Sequence, residues 1–142
     1  MSKTNVSTEK KHKTKRFLET AVFLQQEITV KKELLDELVR VEKMTKKFIT
    51  NGGSAKFYQQ VDELRESLLN DVTRLLALKN RIKRAINTLE DQRIRIIFEA
   101  KYLKCMTWED IADFMFYSVV HTKRLADSGY SILTKSIFND EQ

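Results

Sequence analysis

The chain has no proline and only three glycines, two of which are adjacent at Gly52-Gly53. Proline and glycine are the residues that most often end helices and build turns, so a chain of 142 residues that nearly lacks them can continue in long helices. This composition predicts an all-α protein. The clearest break lies at residues 50–55, where Asn51 precedes the two glycines and the chain can reverse its direction.

Composition also excludes several classes of protein. Charged residues make up 32% of the chain and hydrophobic residues 42%, and no apolar run approaches the roughly 20 residues that a membrane span needs. The basic N-terminus lacks the apolar core of a secretory signal. The single cysteine, Cys105, excludes an internal disulfide and suits a reducing compartment. We therefore expect a cytoplasmic protein without a membrane partner.

The net charge of +6 is distributed unevenly. Six of the first 16 residues are Lys or Arg, and nine basic residues lie between Val72 and Lys104, whereas acidic residues concentrate in 33–42 and 62–71. Part of the chain should therefore attract polyanions. Residues 1–16 are polar and aperiodic, which predicts a disordered basic arm that either lies on DNA phosphates or is a solvated tail.

Residues 17–87 are predicted to form a coiled-coil-like helical hairpin, with helices over about 17–48 and 56–87. In the second helix, apolar residues alternate at steps of three and four over a long seam: Val61, Leu64, Leu68, Leu75, Leu78, Ile82, Ala85 and Leu89. The partner is either the first helix, folded back antiparallel, or a helix of another subunit. The one polar seam residue, Asp71, is expected at the margin of the stripe, and a register function is the alternative.

Residues 88–142 carry a different pattern. Thr88 is predicted to cap a helix that ends near Lys104, and the box Thr107-Trp108-Glu109-Asp110 is predicted to cap the next one. That helix is short, and Ser118 stands where a further helix should begin. Two helices separated by such a brief connection predict a helix-turn-helix, with the helix from residue 88 as its third side.

The second helix of such a motif enters the major groove of DNA through its N-terminal half. Cationic side chains there can donate hydrogen bonds to guanine edges or phosphates, and a valine can pack on a thymine methyl group. Arginines on the preceding helix are candidates for phosphate contact. The predicted DNA-binding residues are Ser118, Val119, Val120, His121, Lys123, Arg124, Asp127, Arg93 and Arg95.

The stretch RIIFEAKYLKCMTWEDIADFMFYS, residues 95–118, with Lys123-Arg124-Leu125 after it, resembles region 4 of bacterial sigma factors. The whole layout resembles small phage-encoded transcriptional regulators of the RinA/ArpU type. The resemblance implies an activator of phage or prophage late genes in a bacterial cytoplasm. It departs from the pattern at Phe116, where glycine is common, and at Thr122, which replaces an aliphatic residue and should bond back to the preceding turn.

Catalysis has little support in the sequence, since no phosphate-binding glycine loop, metal-ligand spacing or Ser/His/Asp set is present. No cofactor or metal is expected. The leading hypothesis is a sequence-specific DNA-binding transcriptional regulator that acts as a homo-oligomer on double-stranded DNA and contacts RNA polymerase or a similar partner. The alternative hypothesis is a helical protein-interaction adaptor, for example one that binds RNA polymerase, with little direct DNA binding.

Overall fold

The computed structural model of the chain describes residues 7–45 and 53–138, except for the side chains at 45, 53 and 54. The protein is all-α, as the composition predicts. The described residues form the helices α1 (Thr8–Thr45), α2 (Gly53–Ile86), α3 (Gln92–Phe98), α4 (Trp108–Met115) and α5 (Val119–Phe138), with a π-helical turn over Glu99–Leu103. The predicted turn residues Asn51 and Gly52 lie outside the described residues.

The chain divides into two compact units. The hairpin unit comprises Phe23–Ala77, and the helix-turn-helix unit comprises Met1–Val22 together with Leu78–Gln142.

In the hairpin unit, α1 and α2 pair within one chain. Leu24 and Ile28 of α1 and Val61 and Leu75 of α2 are buried. The Lys31 Nζ atom of α1 donates to a carboxylate oxygen of Asp71 on α2 and, at 3.2 Å, to Ser67 Oγ. The expectation that Asp71 lies at the margin of the stripe is therefore wrong. Asp71 is 6% exposed, and its charge is paired across the two helices.

The predicted disorder of residues 1–16 is wrong for the part that the structure describes. Ser7 Oγ accepts a hydrogen bond from the backbone N–H of Lys10, and α1 begins at Thr8. Thr14 and Leu18 are fully buried, and the Thr14 hydroxyl lies 2.7 Å from the Thr134 hydroxyl of α5. This packing orders the basic segment despite its polar composition. Residues 1–6 of the predicted arm lie outside the described residues.

The predicted start of α3 at Thr88 is also wrong. The Thr88 hydroxyl donates to the carbonyl of Ala85 and so belongs to the end of α2. Asp91 is the N-cap, because its carboxylate accepts from the backbone N–H of Arg93 at 2.9 Å. The helix continues into the π-helical turn, and Cys105 follows with φ of 58°. Cys105 is exposed.

The core of the helix-turn-helix unit joins the ends of α1 and α2 to the last three helices. Its fully buried residues include Leu18, Ile82, Ile86, Leu89, Ile97, Phe98, Ile111 and Leu133. Gly129 of α5 is buried against Phe98 and Ile94 of α3. These contacts hold α5 by its inner face and leave its outer face to solvent.

Candidate nucleic-acid interface

Helix α4 begins as its sequence predicts. Thr107 Oγ1 accepts from the backbone N–H of Asp110 at 3.1 Å, and Glu109 and Asp110 lie in the first turn, where negative charge stabilises the helix dipole. Ile111 and Ala112 of α4 are buried. The cap and the buried pair fix the direction in which α4 runs into the turn.

The turn between α4 and α5 is a left-handed helix end. Phe116 has φ of 59° and ψ of 39°, its N–H donates to the Asp113 carbonyl at 3.2 Å, and the Tyr117 N–H donates to the Ala112 carbonyl at 2.9 Å. These two bonds define a Schellman motif, in which glycine is the usual left-handed residue. The turn therefore has the geometry of the motif, and the bulky Phe116 adopts the conformation that glycine takes more cheaply. Its side chain is 94% exposed.

Helix α5 begins at a serine cap. Ser118 Oγ accepts from the backbone N–H of His121 at 3.0 Å. Thr122 is buried, and its hydroxyl donates to the Ser118 carbonyl at 2.9 Å, which is the back-bond that the sequence predicts. Ser118 is exposed and keeps its own O–H for a further acceptor. Its predicted DNA contact is therefore compatible with the cap.

The predicted reading residues of α5 lie on one side of the helix start. Val120, Lys123 and Arg124 are exposed, whereas Val119 and His121 are half-buried. The His121 ring packs edge-on against Tyr117 of the turn, with ring centroids 4.8 Å apart. Neither Lys123 nor Arg124 makes an ion pair with any residue that the structure describes. Their charges are therefore accessible to an anionic partner.

Asp127 is on the same side of α5 and is not a free carboxylate. Lys11 Nζ of α1 lies 3.3 Å from Asp127 Oδ1, and the Asp127 side chain is 66% exposed. An acid on a DNA-facing surface repels phosphates, and this ion pair reduces the repulsion.

Sequence reasoning missed Lys11 because it treated residues 1–16 as disordered. The signal that could have found it is the spacing of Thr14, Leu18 and Ala21, which extends the apolar stripe of α1 towards the N-terminus.

The two predicted arginines of α3 have different surroundings. Arg93 is exposed and forms an ion pair with Asp91, with Nη2 2.9 Å from Oδ2. The hydrogen bond from Arg93 lowers the pKa of the Asp91 carboxyl group. Arg95 is half-buried, and its Nη1 donates to the carbonyls of Leu89 at 2.7 Å and Glu90 at 3.3 Å. Arg95 therefore fixes the link between α2 and α3, which leaves fewer of its donors for a phosphate.

The described residues contain no cluster of three or more His, Cys, Asp or Glu side chains that could hold a metal ion. Over the same residues, no helix is both long enough and apolar enough to cross a membrane.

The predicted residues from Ser118 to Arg124 thus lie at the cap and in the first two turns of α5, and Asp127 lies in the next turn. Arg93 and Arg95 are on α3, which packs against α5. No protein family matches the chain, and no curated protein or solved structure matches it either.

Proposed function

We propose that this protein is a sequence-specific DNA-binding transcriptional regulator that reads the major groove with the start of α5. The observation that carries the proposal is that this helix has one buried face and one exposed, cationic face. Thr122, Ala126 and Gly129 are buried on its inner face, whereas Val120, Lys123 and Arg124 are exposed on the outer one. A helix held in this way after a Schellman turn has the geometry in which helix-turn-helix proteins present a reading helix.

The exposed residue types match base edges and phosphates. Arg124 can donate two hydrogen bonds to the O6 and N7 atoms of a guanine, and Val120 can pack on a thymine methyl group. Lys123 can reach a guanine or a phosphate, and Arg93 can bind a backbone phosphate if it exchanges Asp91 for it. Ser118 can donate its hydroxyl proton to a phosphate beside the helix start.

In this proposal the protein is an activator of phage or prophage late genes, of the RinA/ArpU type, in a bacterial cytoplasm. A single reading helix gives weak specificity, so we propose that a symmetric homo-oligomer binds two half-sites on double-stranded DNA. Contact with RNA polymerase would then convert DNA binding into activation.

The test is a salt titration of duplex binding. The full chain and the Arg124→Ala variant are titrated with a duplex from the region flanking the gene, at several salt concentrations. The matched control is Lys135→Ala, which removes an exposed charge from the last turn of α5. We expect salt-dependent binding that Arg124→Ala weakens by about 1–3 kcal/mol and Lys135→Ala leaves unchanged. Binding that ignores salt, or that Arg124→Ala leaves unchanged, would contradict groove reading.

A second candidate function is that of a protein-interaction adaptor. The observation in its favour is an exposed apolar surface on α1. Phe23, Val30, Leu34 and Met44 are 58%, 65%, 46% and 75% exposed, although α1 already buries another face against α2. Contiguous exposed apolar residues commonly mark a binding surface for protein. Light scattering with and without duplex DNA separates the two candidates. Oligomers that form without DNA and have no DNA affinity would favour the adaptor.

A further inference from the structure

A cleft of about 350 Å³ lies beside α5 in the helix-turn-helix unit. Its walls come from four elements, of which α1 contributes Lys15, the π-helical turn contributes Lys101 and Tyr102, and α5 contributes Lys123 and Tyr130. The fourth element, α4, contributes Trp108 at its start. Three lysines therefore meet around aromatic walls at a site that the helix-turn-helix pattern alone does not predict.

Two of these lysines are held by aromatic rings. Lys15 Nζ lies 4.8 Å from the ring centroid of Tyr130, and Lys101 Nζ lies 4.9 Å from that of Trp108. A ring face attracts an ammonium group without neutralising its charge. Lys15, Lys101 and Lys123 make no ion pair with a carboxylate among the residues that the structure describes. The cleft thus orients cationic groups and leaves their charge available.

The acidic residues of the cleft do not cancel this charge. Glu19 and Asp127 also line it, and Lys11 forms an ion pair with Asp127. Because Lys11 pairs with Asp127, Glu19 is the acidic residue of the cleft that opposes its three lysines, and an excess of positive charge remains.

Two tyrosines that line the cleft, Tyr102 and Tyr130, offer a neutral donor. The hydroxyl groups of Tyr102 and Tyr130 are hydrogen-bonded to each other and buried. One of the two donates this bond, so the proton of the other remains for an acceptor. Burial raises the pKa of both phenols, which keeps them protonated.

We propose that this cleft binds a phosphate group, with Lys15, Lys101 and Lys123 as its cationic contacts and the tyrosine pair as its hydroxyl donor. Phosphate oxygens accept several hydrogen bonds and favour clustered ammonium groups. Lys123 precedes Arg124 on the outer face of α5, so a DNA backbone phosphate is one source. A small phosphorylated ligand is the other. With DNA as the source, the inference rests on the proposed function.

The test uses Trp108, the only tryptophan of the chain, whose indole N–H gives a single NMR signal. The full chain is titrated first with inorganic phosphate and then with a short mixed-sequence duplex. The cleft variant is Lys15→Gln/Lys101→Gln. The matched control, Lys32→Gln/Lys135→Gln, removes one exposed lysine from each of α1 and α5 outside the cleft. Circular dichroism checks that both variants remain folded.

We expect the Trp108 signal to shift saturably in the wild-type chain and in the control, and to shift far less in the cleft variant. For DNA, the slope of log affinity against log salt should become shallower by about one for each lysine that contacts a phosphate. A shift with the duplex and none with inorganic phosphate assigns the DNA backbone, and a shift with inorganic phosphate alone assigns a small ligand. No shift with either, or equal shifts in the cleft variant and the control, would overturn the proposal.

These outcomes remain separate from those of the proposed function. If the wild-type chain binds no duplex, groove reading fails, and the phosphate titration still decides the cleft. If the duplex binds and Arg124→Ala weakens it while the cleft variant does not, groove reading stands and the DNA backbone is excluded as the source of the phosphate. The titration with inorganic phosphate then decides whether the cleft binds a small ligand.

Discussion

At Phe116 the turn requires a left-handed backbone conformation, which a bulky side chain disfavours. Its backbone is left-handed, which costs a residue with a side chain about 1–2 kcal/mol, and its ring is 94% exposed and so gains little from packing. The fold itself therefore does not require the Phe116 ring.

Phe116→Gly should therefore stabilise the protein by about 1 kcal/mol, because it removes the left-handed strain. Urea denaturation measures the change. Phe116→Ala is the control, since it removes the ring and keeps the β-carbon, and it should give no such gain. Equal effects of the two substitutions would show that the ring, and not the backbone, determines stability at this position.

Gly129→Ala should have the opposite effect. A β-carbon at Gly129 would lie 2.5 Å from Phe98 Cε1 and 2.6 Å from Ile94 Cγ2. The Phe98 ring is 1% exposed and packs against Tyr102 and Tyr130, so it cannot move aside cheaply. We expect a loss of about 1–3 kcal/mol despite the higher helix propensity of alanine. Ser128→Ala, at an exposed neighbouring position, should be neutral or stabilising, and a stabilising Gly129→Ala would refute the close contact.

Residue-level features that depend on local hydrogen bonds could be predicted from the sequence. The Thr107 cap, the Ser118 cap and the Thr122 back-bond each involve residues within four positions of one another. Asp71 could not be placed in this way, because its partner Lys31 is 40 residues away. Arg95 is a similar case, since its carbonyl partners lie in a loop whose course depends on where α3 begins.

At the scale of the helices, the N-cap of α3 links stability to pH. The Arg93 hydrogen bond lowers the pKa of Asp91 below its ordinary value of 3.8. A depressed folded-state pKa contributes stability that is present above the ordinary value and is lost as the pH falls through the folded one. Arg93→Ala should return the pKa of Asp91 towards 3.8 in an NMR titration of its carboxyl carbon. Arg124→Ala should leave it unchanged, and an unaltered titration in Arg93→Ala would contradict the assignment.

A charged contact between Lys31 and Asp71 joins α1 to α2 beside their apolar seam. Asp71→Leu leaves the Lys31 ammonium group, whose side chain is 32% exposed, beside an apolar seam. We expect a loss of about 2 kcal/mol, smaller than the roughly 3–5 kcal/mol for a fully buried pair because Lys31 still reaches water. The double variant Lys31→Met/Asp71→Leu should recover most of it in urea denaturation. A double variant no more stable than Asp71→Leu would show that the pair does not act as a unit.

The apolar seam of α2 could be predicted from the sequence because its repeat continues over many residues. Each seam position from Val61 to Leu89 is buried or half-buried, as the repeat predicts. The start of α1 could not be predicted in this way, because lysines dominate residues 8–16 and Thr14 is the only buried residue among them. The sequence does not reveal the cleft for the same reason, since Lys15 belongs to the segment whose composition predicts disorder.

At the scale of the whole molecule, the two units display different surfaces. The hairpin unit exposes apolar residues on α1, which suit another helix, and the helix-turn-helix unit exposes cations at the start of α5, which suit a polyanion. If the apolar surface joins subunits, Val30→Glu/Leu34→Glu should reduce the molar mass measured by light scattering and weaken binding to two-half-site DNA. Lys32→Glu, at an exposed position between them, is the matched control, and equal masses in both variants would contradict this use of the surface.

The most direct measurement is the selection of bound sequences from a random duplex library by the wild-type chain and by Arg124→Ala. Groove reading by α5 predicts that the wild-type chain enriches a defined half-site, and that Arg124→Ala relaxes the preference at one base pair within it while the others persist. A wild-type chain that enriches no sequence, or an Arg124→Ala variant that enriches the same half-site with the same preference at every base pair, would contradict it.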